Sequence, residues 1–287
     1  MSVNLGALLT AMVTPFDADG RVDEEAAVRL MHHLVEHGSE GLVICGTTGE
    51  ASTLTDEEQL GMIRLAVEEM RGRCSIVAGV GSNDTSHAVW LTERATELGP
   101  DALLSVNPYY NRPNRRGIVR HYEEIVRATD LPIVLYNIPQ RTASNLPPDL
   151  LAELAQLDNI HAVKQANAAE LQKIDGLRIY AGNDDLLIDV LELGEAGGVC
   201  VASHLFGDEM RRIIDEPEQR RTIDQSLQDV YRDLSIAPLA CTVKRALDLL
   251  GIGVGAPRLP YVELDEDETA AVRAMLERHG LLQTAAR

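Results

Sequence analysis

The feature that most constrains this chain is an alternation. From residue 8 to about residue 215, short apolar runs trade places with amphipathic helical segments, eight times over. The apolar runs are 8–14, 41–45, 75–80, 102–106, 132–136, 160–163, 178–181 and 198–202. Each is rich in Val, Ile, Leu or Ala and closes on Gly, Pro, Asn, Asp, Thr or Ser. Near-continuous apolarity over so few residues fits strands covered on both faces. The alternation requires a parallel sheet with right-handed crossovers. Eight units close most naturally into a (β/α)8 TIM barrel of the α/β class, with functional residues at the C-terminal strand ends. The alternative is an open doubly wound sheet. Its dinucleotide fingerprint needs three glycines after an early strand, whereas Gly79-Val80-Gly81 lacks the third and follows the third strand.

The helical segments carry their own start signals. Asp23 caps the first, ahead of an apolar face of Ala26, Ala27, Leu30, Met31 and Leu34. Thr55-Asp56-Glu57-Glu58 reads as a capping box, and Asp84 opens a third helix. Segments 116–128, 148–156, 168–175, 185–193 and 205–215 complete the set, with Pro147 and Pro148 where a first turn tolerates proline. After Asp215-Glu216-Pro217-Glu218 the pattern is purely helical, near 219–235, 237–250 and 267–280. The expected organisation is a catalytic barrel, 1–215, followed by a C-terminal helical extension, 216–287. The acidic run 263–268 reads as the first turn of the last helix, where the dipole favours carboxylates. Gly251, Gly253 and Gly255 read as a connection between tail helices.

Charge removes several function classes. With 45 acidic against 26 basic residues, the net charge of −19 argues against nucleic acid and anionic membrane as partners. No stretch approaches the roughly 18 apolar residues of a membrane span, and no basic residue precedes the apolar segment 7–13 as in a secretion signal. Four scattered cysteines, with no CxxC, fit reduced thiols in a cytoplasmic protein. His33 and His37 stand four apart on the first helix without a third ligand, which fits a solvated face better than a metal site. No Gly-x-Ser-x-Gly elbow or P-loop lysine motif occurs.

The strand ends hold the candidates. The second strand runs into Gly46-Thr47-Thr48-Gly49-Glu50, where glycines let the backbone approach a ligand and aim consecutive N–H groups at an anion, or simply make a turn. The fourth runs into Asn107-Pro108-Tyr109-Tyr110-Asn111-Arg112-Pro113, and the fifth into Tyr136-Asn137-Ile138-Pro139-Gln140-Arg141. Arg141 is either a bidentate carboxylate clamp or a surface ion-pair partner. The sixth strand ends in Lys164, one of three lysines in a chain with 23 arginines. An ammonium is costly to bury, and a neutral amine in a dry pocket attacks a carbonyl carbon to give a Schiff base. A lysine snorkelling from a strand end is the bland alternative.

Taken together, these motifs resemble the dihydrodipicolinate synthase family (4-hydroxy-tetrahydrodipicolinate synthases) among the pyruvate-dependent class I aldolases. The likeness runs from Thr14-Pro15-Phe16 to Pro257-Arg258-Leu259-Pro260 and includes the Gly46–Glu50, Asn107–Asn111 and Tyr136–Arg141 motifs and Val163-Lys164. It implies a Schiff-base lyase that condenses pyruvate with L-aspartate 4-semialdehyde in lysine and diaminopimelate biosynthesis, with no cofactor or metal. Lys164 would bind C2 of pyruvate. Tyr136 would exchange protons through Thr47 with Tyr110, which in the family serves the neighbouring subunit. Thr48 would hold the pyruvate carboxylate, Val199 and Gly182 would line the pocket, and Arg141 would receive the second substrate. A homotetramer, a dimer of dimers, is the implied assembly.

The sequence also departs from that pattern. Gln165 stands where Glu is frequent, and Asn167-Ala168-Ala169 replaces Thr-Gly-Asn, which loosens the inference about the acceptor aldehyde. The positions matching the family's lysine-feedback site read Ser52, Asp56, Gln59, Asn83, His87 and Tyr109. His87 replaces a carboxylate there, so weak or absent feedback is expected. A sugar-acid aldolase or N-acetylneuraminate lyase would keep Lys164, Tyr136 and the threonine turn, but Arg141 speaks against it. A barrel retained only for binding is the remote alternative.

Overall fold

The computed structural model describes residues 4–283; positions 1–3 and 284–287, the ends of the two expected units, lie outside them. Eight strands form a closed barrel in chain order: β1 (Leu8–Ala11), β2 (Gly41–Ile44), β3 (Ser75–Gly79), β4 (Ala102–Val106), β5 (Ile133–Asn137), β6 (Ile160–Gln165), β7 (Arg178–Ala181) and β8 (Gly197–Cys200). All pairings are parallel, and β8 closes on β1 with Val199 opposite Leu9. The strands are buried almost throughout, as their unbroken apolarity requires.

The barrel helices are α1 (Glu24–Glu36), α2 (Asp56–Met70), α3 (Thr85–Leu98), α4 (Arg115–Arg127), α5 (Pro139–Thr142), α6 (Pro148–Leu154), α7 (Leu187–Glu192) and α8 (Ser203–Asp215). Their starts follow the sequence signals. The Asp23 carboxylate accepts the Ala26 N–H at 2.9 Å. Thr55 Oγ1 accepts the Glu58 N–H at 3.2 Å while Glu58 accepts the Thr55 N–H at 2.9 Å. Asp84 accepts the Ser86 N–H at 3.0 Å. Pro148 is the first residue of α6. Each of these bonds satisfies an amide that the helix itself leaves unpaired.

One expected helix is absent. Segment 168–175 forms a single 3₁₀ turn, Ala168–Glu170, before Leu171 becomes extended. Ile174 then bridges to Leu177 around Gly176, whose φ is +85°. The segment lacks a helix start, since the Asn167 side chain before the turn caps no amide. Leu171 and Ile174 are also too few to form an apolar face. Conversely, α5 is a single helical turn for which the sequence offers no apolar face.

The tail consists of α9 (Arg220–Leu234), α10 (Leu239–Leu249) and α11 (Glu266–Arg278). They pack on one another and on α8 through Leu227, Val230, Leu234, Val243, Leu247, Val272, Met275 and Leu276, all buried. The acidic run does form the start of α11, with Asp265 and Glu268 closing a capping box. α9 also packs against the 3₁₀ turn Asp184–Leu186, which follows β7, so the tail reaches the strand ends that form the barrel mouth.

Candidate active site at the mouth of the barrel

Lys164 and Tyr136 are neighbours across β5 and β6 because the strand register sets them directly opposite. The Lys164 Nζ lies 4.4 Å from the centre of the Tyr136 ring. Both side chains are 5% exposed, at the C-terminal ends of their strands. Removing an amine from water beside a phenol is the arrangement expected of a nucleophile with a proton donor at hand.

The threonine turn follows β2. Left-handed backbone falls on its flanks, Cys45 (φ +57°) and Glu50 (φ +56°), rather than on Gly46 or Gly49. Gly79 makes room for it: a Cβ there would stand 2.2 Å from the Cys45 carbonyl oxygen. The turn is closed by N–H bonds from Glu50 to the Thr47 carbonyl, 3.1 Å, and from Ala51 to the Gly46 carbonyl, 3.3 Å. Among the described residues, neither the Thr47 nor the Thr48 N–H has a protein acceptor. Consecutive unpaired amides of this kind suit an anion.

Thr47, Tyr136 and Arg141 line one cavity of about 490 Å³, together with Ser52, Asp56 and His87. Arg141 is exposed there on α5. Thr48 is buried, while Thr47 is exposed and, among the described residues, is not hydrogen-bonded to Tyr136. Gly182 and Val199 line a second cavity at the ends of β7 and β8, about 460 Å³, with Asp184 and Tyr231. Gly182 is required by close approach, since a Cβ would meet the Ala166 Cβ at 2.7 Å.

Tyr110 does not join its own chain's site. It is 87% exposed and held at φ +71°, an uncommon backbone for an aromatic residue. Its loop is tied down by the Tyr110 N–H on the Thr142 carbonyl, 3.3 Å, and by Asn107 Nδ2 on the Ser144 carbonyl, 3.1 Å. The strain is therefore maintained by the surrounding structure.

The model of the dihydrodipicolinate synthetase family matches residues 4–279. The chain belongs to that family. The 4-hydroxy-tetrahydrodipicolinate synthase of Desulforudis audaxviator is 40% identical over 98% of this chain and 100% of its own length. Among solved structures, the dihydrodipicolinate synthase of Cyanidioschyzon merolae, with lysine bound, shares 36% identity over 97% of this chain and 99% of its own, TM-score 0.92. The Acinetobacter baumannii enzyme, complexed with pyruvate, shares 32% identity over 97% and 100%, TM-score 0.93.

Two departures from the family pattern acquire a structural meaning. Gln165 is buried, and its Oε1 accepts both the Asn137 Nδ2–H and the Asn167 N–H, each at 3.0 Å. It therefore ties the segment that follows β6 to the end of β5. His87 bonds Asp56 through Nε2 at 2.9 Å and Ser82 through Nδ1 at 3.2 Å, with Trp90 stacked beside it.

Sequence reasoning passed over Asp184. It is buried, and its Oδ1 accepts the N–H groups of Val201 at 2.7 Å and Ala202 at 3.2 Å, joining the ends of β7 and β8. Burial pushes its carboxyl pKa up, against those two amides and the nearby Lys164 charge. Two consecutive aspartates after a strand, Asp184-Asp185, were the available signal. Among the described residues there is no cluster of three or more His, Cys, Asp or Glu able to hold a metal, and no helix is long and apolar enough to cross a membrane.

Proposed function

We propose that this chain condenses pyruvate with L-aspartate 4-semialdehyde to give 4-hydroxy-tetrahydrodipicolinate, the activity named for its relatives in lysine and diaminopimelate biosynthesis. The observation that carries the reading is the buried Lys164–Tyr136 pair, in register at adjoining strand ends. The Lys164 amine adds to C2 of pyruvate and water leaves, giving an iminium that acidifies the methyl protons. Tyr136 removes one through its relay, and the enamine attacks the aldehyde carbon. The amino group of the new chain then adds to C2, displaces Lys164 and closes the ring. Every bond change is supplied by the substrates and these side chains, so no metal or cofactor is called for.

The unpaired amides of the turn support Thr48 as the holder of the pyruvate carboxylate. The exposed guanidinium of Arg141, in the cavity that Tyr136 also lines, supports a role in binding the semialdehyde carboxylate. Val199 and Gly182, which line the second cavity at the ends of β7 and β8, would close the other side of the pyruvate pocket. The outward Tyr110 supports a relay completed between subunits: Tyr136, Thr47 and the Tyr110 of a second copy. A dimer is then the smallest working unit, and a homotetramer of two such dimers is the assembly we favour. Residues 1–215 form the catalytic unit and 216–287 the helical extension, in a cytoplasmic enzyme.

The test is turnover of pyruvate with aspartate semialdehyde, coupled to dihydrodipicolinate reductase and followed by nicotinamide oxidation. Rapid turnover is expected. No turnover, with pyruvate still captured on Lys164, would favour a sugar-acid aldolase instead.

A further inference from the structure

Lys244 is a lysine for which the site has no use. It lies on α10 of the tail, 2% exposed, with its Nζ 2.6 Å from Oε1 of Glu50, itself fully buried. Glu50 closes the threonine turn, and its Oε2 accepts the Arg258 N–H at 2.9 Å. The Lys244 ammonium and the Arg258 guanidinium both lie on the Phe16 ring, 4.1 and 4.3 Å from its centre. Arg258 continues to the carbonyls of Gly20 and Thr53 and to the Glu58 carboxylate. The connection before Arg258 is equally close-fitting: a Cβ on Gly255 would stand 1.9 Å from the Phe16 carbonyl oxygen.

These contacts join residues about two hundred positions apart, and two of them, from the Lys244 ammonium and the Arg258 N–H, meet on the Glu50 carboxylate. A buried ion pair is a costly way to fill space, since apolar side chains of the same shape pack as well without losing hydration. What charge adds is a fixed position. Glu50 is buried against the tail, while Thr47, three residues earlier in the same turn, lines the mouth cavity.

We propose that Glu50 and Lys244 are positioning residues, through which the C-terminal helical tail holds the Thr47–Thr48 turn in the conformation that receives the carboxylate of the keto acid. This rests on the reading of Thr48 given above. The tail would thereby set affinity for the first substrate without touching it.

The test compares wild type with Glu50→Gln/Lys244→Met, which removes both charges at near-constant volume. A second variant, Arg258→Met, lies at a less buried residue. Pyruvate is titrated, the Schiff base is trapped with borohydride, and the Lys164 adduct is counted by mass spectrometry. We expect full trapping at saturating pyruvate in the double variant. Its half-trapping concentration and pyruvate KM should rise about tenfold, and those of Arg258→Met about threefold, with the semialdehyde KM within about twofold of wild type. If the double variant does not fold, the Arg258→Met shift decides. A loss of trapped fraction at unchanged midpoint would mean a merely structural pair and overturn the inference. Midpoints equal to wild type would overturn it too. A wild type that traps no pyruvate would overturn the reading of the site and this inference with it.

Discussion

The three lysines of this chain have three fates. Lys173 is exposed, Lys164 is buried beside Tyr136, and Lys244 is buried against Glu50. Scarcity singled out all three in the sequence, but only Lys164 sat in a context whose chemistry could be read, the end of an apolar strand. The partner of Lys244 is remote in the chain, and no local pattern links them. His87 shows the same divide: its identity was legible, whereas its bond to Asp56 was not. Asp56 and Ser82 already occupy both His87 ring nitrogens, so an amino acid can bond this imidazole only by displacing one of them. Lysine should therefore inhibit weakly or not at all. A lysine titration of turnover at fixed substrate checks this, and strong inhibition below 1 mM, on the order of the affinities that regulate enzymes at metabolite levels, would contradict it.

Elements were legible wherever their signals are local. Asp23, Thr55 and Asp84 each do cap a helix, since a cap needs only a side chain and an amide two or three residues away. Segment 168–175 has no such signal: the Asn167 side chain caps no amide, and Leu171 and Ile174 are too few to form an apolar face. The helix-start signal at Thr55 also conceals a second role. Glu58, half of that capping box, is gripped by Arg258. The Arg258 hydrogen bond, aided by the Thr55 amide and opposed by partial burial, holds the Glu58 pKa down at about 2. A depressed carboxyl pKa stabilises the fold at pH values above its ordinary value near 4.5. The contribution is lost as pH falls towards 2. Glu58→Gln should cost about 1–2 kcal/mol at pH 7, after allowance for solvent screening. Thermal melts of both proteins from pH 7 to pH 2 check this: the difference in Tm should shrink below pH 4.5, and a constant difference would argue against the ion pair.

The whole molecule explains what neither scale does alone. Eight strand ends far apart in sequence converge on one mouth, which is why motifs scattered along the chain end at the same face of the barrel. What stayed illegible is what closure decides: that Gly182 and Val199 line a second cavity, apart from the one lined by Thr47, Tyr136 and Arg141. If Tyr110 works in a second copy, Tyr110→Phe should lower kcat about 100-fold, in the range for loss of a proton-transfer group. Mixing that variant with inactive Lys164→Ala should then raise turnover well above that of either alone, because a mixed dimer contains one intact site. Failure of mixed, re-equilibrated subunits to recover activity would confine the relay to one chain. The central claim remains the nucleophile. Borohydride reduction in the presence of pyruvate, followed by peptide mass analysis, should give a stoichiometric adduct on Lys164 and none in a folded Lys164→Ala variant. An adduct on Lys173 or Lys244, or turnover retained in Lys164→Ala, would contradict the account.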